Sequence, residues 1–374
     1  MKTLILSSRI SFLTFSIGAC LSISPTYAQS TPANPYKIIK STQVTGTGRT
    51  DYVFADSDER RLYVPWGGEI QTFDLDTLKQ TRSIPNARAH DVAVDPKSRH
   101  GFSSSNPVVM WNSKTLETIK TIPVQGRPDG IMLEPETDRI LVFSHSAPNV
   151  TMIDPKEGSV LGTIDLGGAP EQAASDGSGH LYVDLEDKNS VAVVDLKTLK
   201  VTANYDLGGK GGPAGMGFDT KNRVLFVFCR EPATAVMLNA DNGKILATLP
   251  IGEGTDGGGF NPATMEAFSS QRDGTLTIIK ENSPTKFDVE QTVQTWKGAR
   301  TSTLDTKTNH IILIALERPS TPAPTVSATS GAPARATSMQ SPSPSQAGGQ
   351  PAGEGRRGGN DAPGLLHILV VGRE

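Results

Sequence analysis

Residues 170–209 read PEQAASDGSGHLYVDLEDKNSVAVVDLKTLKVTANYDLGG. Three short apolar runs and a fourth, more polar one lie between turns of Asp, Gly, Asn and Lys. The runs are Ala173–Ser175, Leu181–Val183, Val191–Val194 and Val201–Tyr205. Each has the length of a strand, and none could make a helix of three turns. The same paragraph recurs along the chain. The polar residue that closes its first strand gives a ruler: Asp56, Asp95, Glu134, Asp176, Asp219, Asn261 and Asp305, spaced 39, 39, 42, 43, 42 and 44. Units of that length match the four-stranded blade of a β-propeller. One small twisted sheet cannot cover both its faces, so neighbouring blades must do so and the ring must close.

Fold class follows: an all-β protein, a seven-bladed β-propeller with strands a to d in each blade. The seventh unit has Arg300–Leu304, His310–Leu316 and Leu366–Val371 but no d strand. The stretch Tyr36–Val44 has the d-strand pattern, so the N-terminal segment is expected to pair beside Leu366–Val371 and close the ring.

Residues 1–28 read as a secretory signal peptide. Lys2 and Arg9 begin it, Phe12–Ile23 supplies the apolar stretch, and Thr26 and Ala28 suit cleavage before Gln29. An alternative reading makes Cys20, after Ile17-Gly-Ala, a lipidated first residue. Either points to an exported, periplasmic or extracellular protein, and no other run is long enough to span a membrane. Residues 29–35 form a linker and 36–374 the propeller. Residues 318–363, rich in Pro, Ser, Thr, Ala and Gly, are expected to be a disordered insertion in the b–c link of blade seven. Loss of Lys2 and Arg9 takes the net charge from −3 to −5, and no basic stretch offers a phosphate-backbone footprint, so nucleic acid is an unlikely partner. The mature chain keeps only Cys229, at the end of an apolar run, which cannot form an intrachain disulfide. A closed ring of this kind is expected to be a monomer.

The turns Asp74-Leu-Asp-Thr-Leu78, Asn112-Ser-Lys-Thr-Leu116 and Asp195-Leu-Lys-Thr-Leu199 are one repeated c–d hairpin, whose Asp or Asn should accept backbone N–H bonds. With Leu62-Tyr63-Val64-Pro65 and Leu181-Tyr182-Val183-Asp184 in strand b, and endings such as Ile122-Pro-Val-Gln-Gly-Arg-Pro128 and Ile164-Asp-Leu-Gly-Gly-Ala-Pro170, the pattern resembles the YVTN β-propeller repeat family over residues 36–316 and 365–373. That resemblance implies the propeller fold and an exported bacterial or archaeal protein. Related seven-bladed propellers include lactone hydrolases.

Links d–a and b–c lie on one rim. That rim collects Arg49, Asp51, Trp66, Arg88, His90, Asp91, Arg127, Asp129, His145, Glu171, Arg230, Glu231, Asp256 and Arg300. Three units share a theme before strand a: Arg49-x-Asp51, Arg88-x-x-Asp91 and Arg127-x-Asp129. They read as salt bridges between blades or as a polar cup for an anionic or sugar-like ligand, with Arg49, Asp51, Trp66, Arg88, Asp91, Arg127, Asp129 and Arg300 as candidate contacts. Arginines can clamp carboxylate or phosphate, and Trp66 could stack on a ring. General acid–base work would need His90 or His145. His100, His180 and His310 start b strands on the opposite rim, and His367 lies inside a strand. Six histidines spread over separate blades, with no haem, zinc or nucleophile-elbow motif, lead to an expectation of no metal and no cofactor. The chain thus reads as a non-enzymatic binding scaffold for a protein, an envelope component or a small polar ligand. The alternative is a lactonase-like hydrolase with His90 or His145 as base and Arg88, Arg127 or Arg300 holding the oxyanion.

Overall fold

The computed structural model describes residues 34–147, 149–318 and 363–374. The described chain forms seven four-stranded antiparallel sheets. Blade one comprises Phe54–Asp56, Arg61–Trp66, Glu69–Asp74 and Gln80–Ile84, and blade four Pro170–Ser175, His180–Leu185, Ser190–Asp195 and Lys200–Asp206. Blade seven is built from both ends of the chain: Thr301–Asp305, His310–Glu317, Pro363–Gly372 and, as its outer strand, Lys37–Thr47. The closing pairs run from Lys37 opposite Gly372 to Thr47 opposite Pro363, with Val44 opposite Leu366. The targeting stretch 1–28 and residues 319–362 lie outside the described residues. Strands His310–Glu317 and Pro363–Gly372 pair with each other, Glu317 opposite Leu365. Among the described residues no helix is long and apolar enough to cross a membrane.

The ruler residues act on the backbone. Six of them end their a strands, and Asp176 directly follows its own. Each bonds the N–H groups of the turn it opens: Asp95 those of Lys97 and Ser98, Glu134 that of Thr137, Asp176 those of Ser178 and His180. Burial alone would raise Asp176, but these bonds outweigh it and bring it down to about 2. The c–d turns work the same way. Asp74, Asn112 and Asp195 accept from the residues two or three ahead, as at Thr77 and Thr198, both at 2.7 Å.

Period-two alternation then divides each blade between two cores. In blade four, Leu181, Val183 and Leu185 pack toward blade three, while Tyr182, Val191 and Val193 pack toward blade five. Seven such apolar clusters lie among the described residues, one in each gap between neighbouring blades. Inner strands approach closely where side chains vanish: a Cβ on Gly217 of blade five would lie 2.6 Å from the carbonyl oxygen of Gly259 of blade six. The closing strand adds Tyr36, buried in the core between blades six and seven, its hydroxyl donating to Glu266 Oε2 at 2.6 Å. Cys229 is buried in the core between blades four and five, and burial pushes its thiol up to about 12.

Candidate functional site

The d–a links bring one repeat position to the channel mouth. Counting five residues back from each ruler residue gives Asp51, His90, Asp129, Glu171, Ala214, Asp256 and Arg300. Six of these seven carry charge-bearing side chains, and they meet around the axis. Asp51 Oδ2 contacts His90 Nδ1 at 2.8 Å, and the same nitrogen lies 3.2 Å from Asp129 Oδ1. Asp129 Oδ2 faces His145 Nε2 at 3.3 Å, which faces Glu171 Oε1 at 3.9 Å. Glu171 Oε1 lies 3.6 Å from Arg230, Arg230 pairs with Asp256, Asp256 with Arg300, and Arg300 returns to Asp51 at 3.0 Å. The result is a closed cycle of eight side chains, acid and base in alternation, that touches every blade. Blade five has Ala214 at the shared position and contributes Arg230 from strand b. Blade three adds His145 from its b–c link, where the His145 N–H donates to the Arg127 carbonyl at 3.2 Å.

Beneath the cycle Tyr52, 6% exposed, reaches from blade one to blade four and donates to Glu171 Oε2 at 3.0 Å. The acids crowd one another in a dry place. Burial, and then neighbouring carboxylates, push Glu171 up to about 9 and Asp91 up to about 8. Burial also raises Asp129 and Asp256, against the pull of His145 and of the two arginines respectively. His90 is raised by its bond to Asp51. Four carboxylates face two arginines, so with neutral histidines the cycle carries a formal charge of −2.

The sequence candidates divide in three. Asp51, His90, Asp129, His145 and Arg300 belong to the cycle. Arg49, Arg88 and Arg127 are exposed beside it and make no ion pair among the described residues, so the inter-blade salt bridges fall to Arg230 and Arg300 instead. Asp91 sits behind the cycle, bonded to the Val92 N–H. Trp66 is elsewhere: it is buried in the core between blades seven and one, packed over Gly46. Two clefts open at the mouth. One of about 240 Å³ is lined by Arg88, His90, Arg127, Asp129 and His145. The other, about 400 Å³, is lined by Arg49, Asp51, Arg272, Arg300 and Arg318. Glu171, Arg230 and Asp256 appear in the rim roll, but only the five-back rule singles out the two acids. Nothing in the sequence ranks Arg230 or Arg272.

No protein-family profile and no curated protein matches the chain. Solved structures do. A structure of U3-55K is similar with a TM-score of 0.62 at 10% identity, covering 72% of this chain and 90% of that one. A chain of a mitotic checkpoint complex gives 0.64 at 13%, covering 83% and 96%. The RRP9 WD40 repeats give 0.63 at 10%, covering 76% and 91%. At such identities the likeness carries the fold. It corrects three expectations. The YVTN assignment is replaced by a likeness to WD40-type propellers. The residues that carried it are those any such blade needs, a strand b buried on both faces and an Asx turn between c and d. The exported, periplasmic or extracellular location and the envelope partner are corrected with it, the likeness being to U3-55K, a chain of a mitotic checkpoint complex and the RRP9 WD40 repeats. The exclusion of nucleic acid is corrected as well, since the fold is that of U3-55K. Net charge is a sum over the chain and says nothing of a rim where arginines stand exposed. The fold itself is that of a generic scaffold for binding proteins or ligands.

Proposed function

We propose that this propeller binds a small anionic ligand, a carboxylate or phosphate compound, in the arginine-lined cleft of blades six, seven and one at the channel mouth. One observation carries the reading. Arg49 and Arg272 converge on a cleft of about 400 Å³, a size that suits a small molecule, and neither makes an ion pair among the described residues. Arg300 lines the same cleft and is fixed by Asp51 and Asp256, so it presents a guanidinium in a set orientation. Fork-shaped donors of this kind suit carboxylate and phosphate oxygens. The lactone-hydrolase alternative has less support. His90 and His145 are turned to carboxylates of the cycle.

The test is equilibrium binding of pyrophosphate and citrate, with a neutral sugar as control. Each anion should bind, more weakly as salt rises, and the double variant Arg49→Ala/Arg272→Ala should weaken binding at least about tenfold. Anion binding that the double variant leaves intact, or no binding by the wild type, refutes the assignment.

A further inference from the structure

The other half of the cycle is built differently: it gathers one imidazole and two carboxylates. Asp129 Oδ2, His145 Nε2 and Glu171 Oε1 are ligand atoms within 4.8 Å of one another. A first-row divalent ion with bonds of about 2.1 Å holds neighbouring ligand atoms about 3.0–3.4 Å apart. The His145–Asp129 separation of 3.3 Å falls in that window, and the His145–Glu171 separation of 3.9 Å lies just outside it. Neither contact satisfies the imidazole: His145 Nε2 is buried with no hydrogen-bond partner among the described residues. The Glu171 side chain is only 7% exposed, and its Oε1 accepts no hydrogen bond there either.

The far side of each carboxylate is already held. Glu171 Oε2 takes the Tyr52 hydroxyl at 3.0 Å, and Asp129 Oδ1 lies 3.2 Å from His90, which is itself paired with Asp51. Outer partners of this kind orient metal ligands and are part of a working site. Three inward ligand atoms remain without a hydrogen bond among the described residues; Asp129 and His145 line the cleft of about 240 Å³, and Arg230 lies 3.6 Å from Glu171 Oε1.

We propose that Asp129, His145 and Glu171 bind a single divalent transition-metal ion at the channel mouth, with Tyr52 and His90 as positioning residues and the cleft side left for water or a ligand. One imidazole and two carboxylates suit zinc or manganese rather than a soft-ligand metal. This site rests on different residues from the arginine cleft, and each can fail without the other.

The experiment is calorimetric titration of tag-free, EDTA-dialysed protein with zinc chloride, repeated with manganese and its electron paramagnetic resonance signal. Wild type should take up one equivalent. His145→Ala and Glu171→Gln should each weaken binding at least ~100-fold, whereas His100→Ala on the opposite rim should change nothing. Circular dichroism and a urea curve establish that each variant folds. Glu171→Gln keeps an acceptor for Tyr52, so it stands in if His145→Ala does not fold. Absence of uptake by the wild type up to about 1 mM metal, a range reserved for weak adventitious binding, overturns the proposal. So does binding that survives in the folded His145→Ala or Glu171→Gln protein.

Discussion

Replacing Arg230 by Met tests whether the charged cycle holds blades together. The guanidinium pairs with Asp256 and Glu186, lies 3.6 Å from Glu171, and donates to the Thr255 carbonyl at 3.0 Å. It therefore ties strand b of blade five to blades four and six. Asp256 and Glu171 have side chains only 6% and 7% exposed. Removing one partner of a buried pair costs roughly 3–5 kcal/mol. Asp256 keeps Arg300, and the Arg230 side chain is 26% exposed, so water screens part of the loss and the expected cost at pH 7 is about 2–3 kcal/mol. Urea unfolding should show it as a lower midpoint at unchanged slope.

The pH dependence identifies the cause. Glu171 and Asp256 have folded pKa values above their unfolded ones. A raised pKa gives stability that is complete below the unfolded value and is lost as pH climbs through the folded one. Arg230 pulls Asp256 down, so its loss raises Asp256 further and deepens that decline at pH 7; Glu171, at about 9, stays protonated there with or without Arg230 and adds to the gap only at higher pH. At about pH 4, near the unfolded carboxyl values, the acids are protonated in the folded state and about half protonated in the unfolded one, so little of the decline has set in. The gap should then shrink to about 1 kcal/mol, the bond to Thr255 and lost packing. A gap that is equal at pH 4 and pH 7, or below about 0.5 kcal/mol at pH 7, refutes an electrostatic tie.

Two further substitutions probe the ring. Gly217→Ala sets a Cβ against the Gly259 backbone at 2.6 Å and 2.7 Å and should cost about 1–3 kcal/mol in urea unfolding; Gly68→Ala, with nothing within 4 Å, serves as the neutral control. Tyr36→Phe removes the 2.6 Å bond to Glu266 but keeps the ring under Arg373, so a loss of about 1.5–3 kcal/mol is expected, and an unchanged midpoint would show that the closing strand does not depend on it.

The fold was legible because its signals are local and repeated. The ruler residues recur at blade spacing, since every a strand ends in, or is followed directly by, a side chain that must satisfy the next turn. Even ring closure could be read, because a seventh blade short of one strand and an orphan strand at the other end have one solution. Trp66 shows the limit. Its place at the end of strand b was legible, but the direction of its ring was not, for that depends on the space Gly46 leaves in the closing strand, distant in sequence and adjacent only after closure.

The cycle at the mouth was hidden for a related reason. Its members occupy one repeat position, yet they read Asp, His, Asp, Glu, Ala, Asp and Arg down the chain, which no motif describes. Charges close in sequence, such as Arg127 and Asp129, look like partners. In a propeller, though, the link before strand a sets a residue against the b–c link of its own blade and the d–a link of the adjoining one, so Asp129 meets His145 and His90 while Arg127 is left to solvent. The gap at Ala214 is filled from another strand by Arg230, which only the register between strands a and b reveals. Alternation of acid and base is thus a property of the ring and of no segment within it. The pair of Arg300 and Asp51 joins blade seven to blade one, and the N-terminal strand completes blade seven itself by pairing Lys37–Thr47 against Pro363–Gly372. Both clefts share residues with this cycle. The geometry offered to an anion on one side and to a metal ion on the other is therefore set by the same closure that completes the fold.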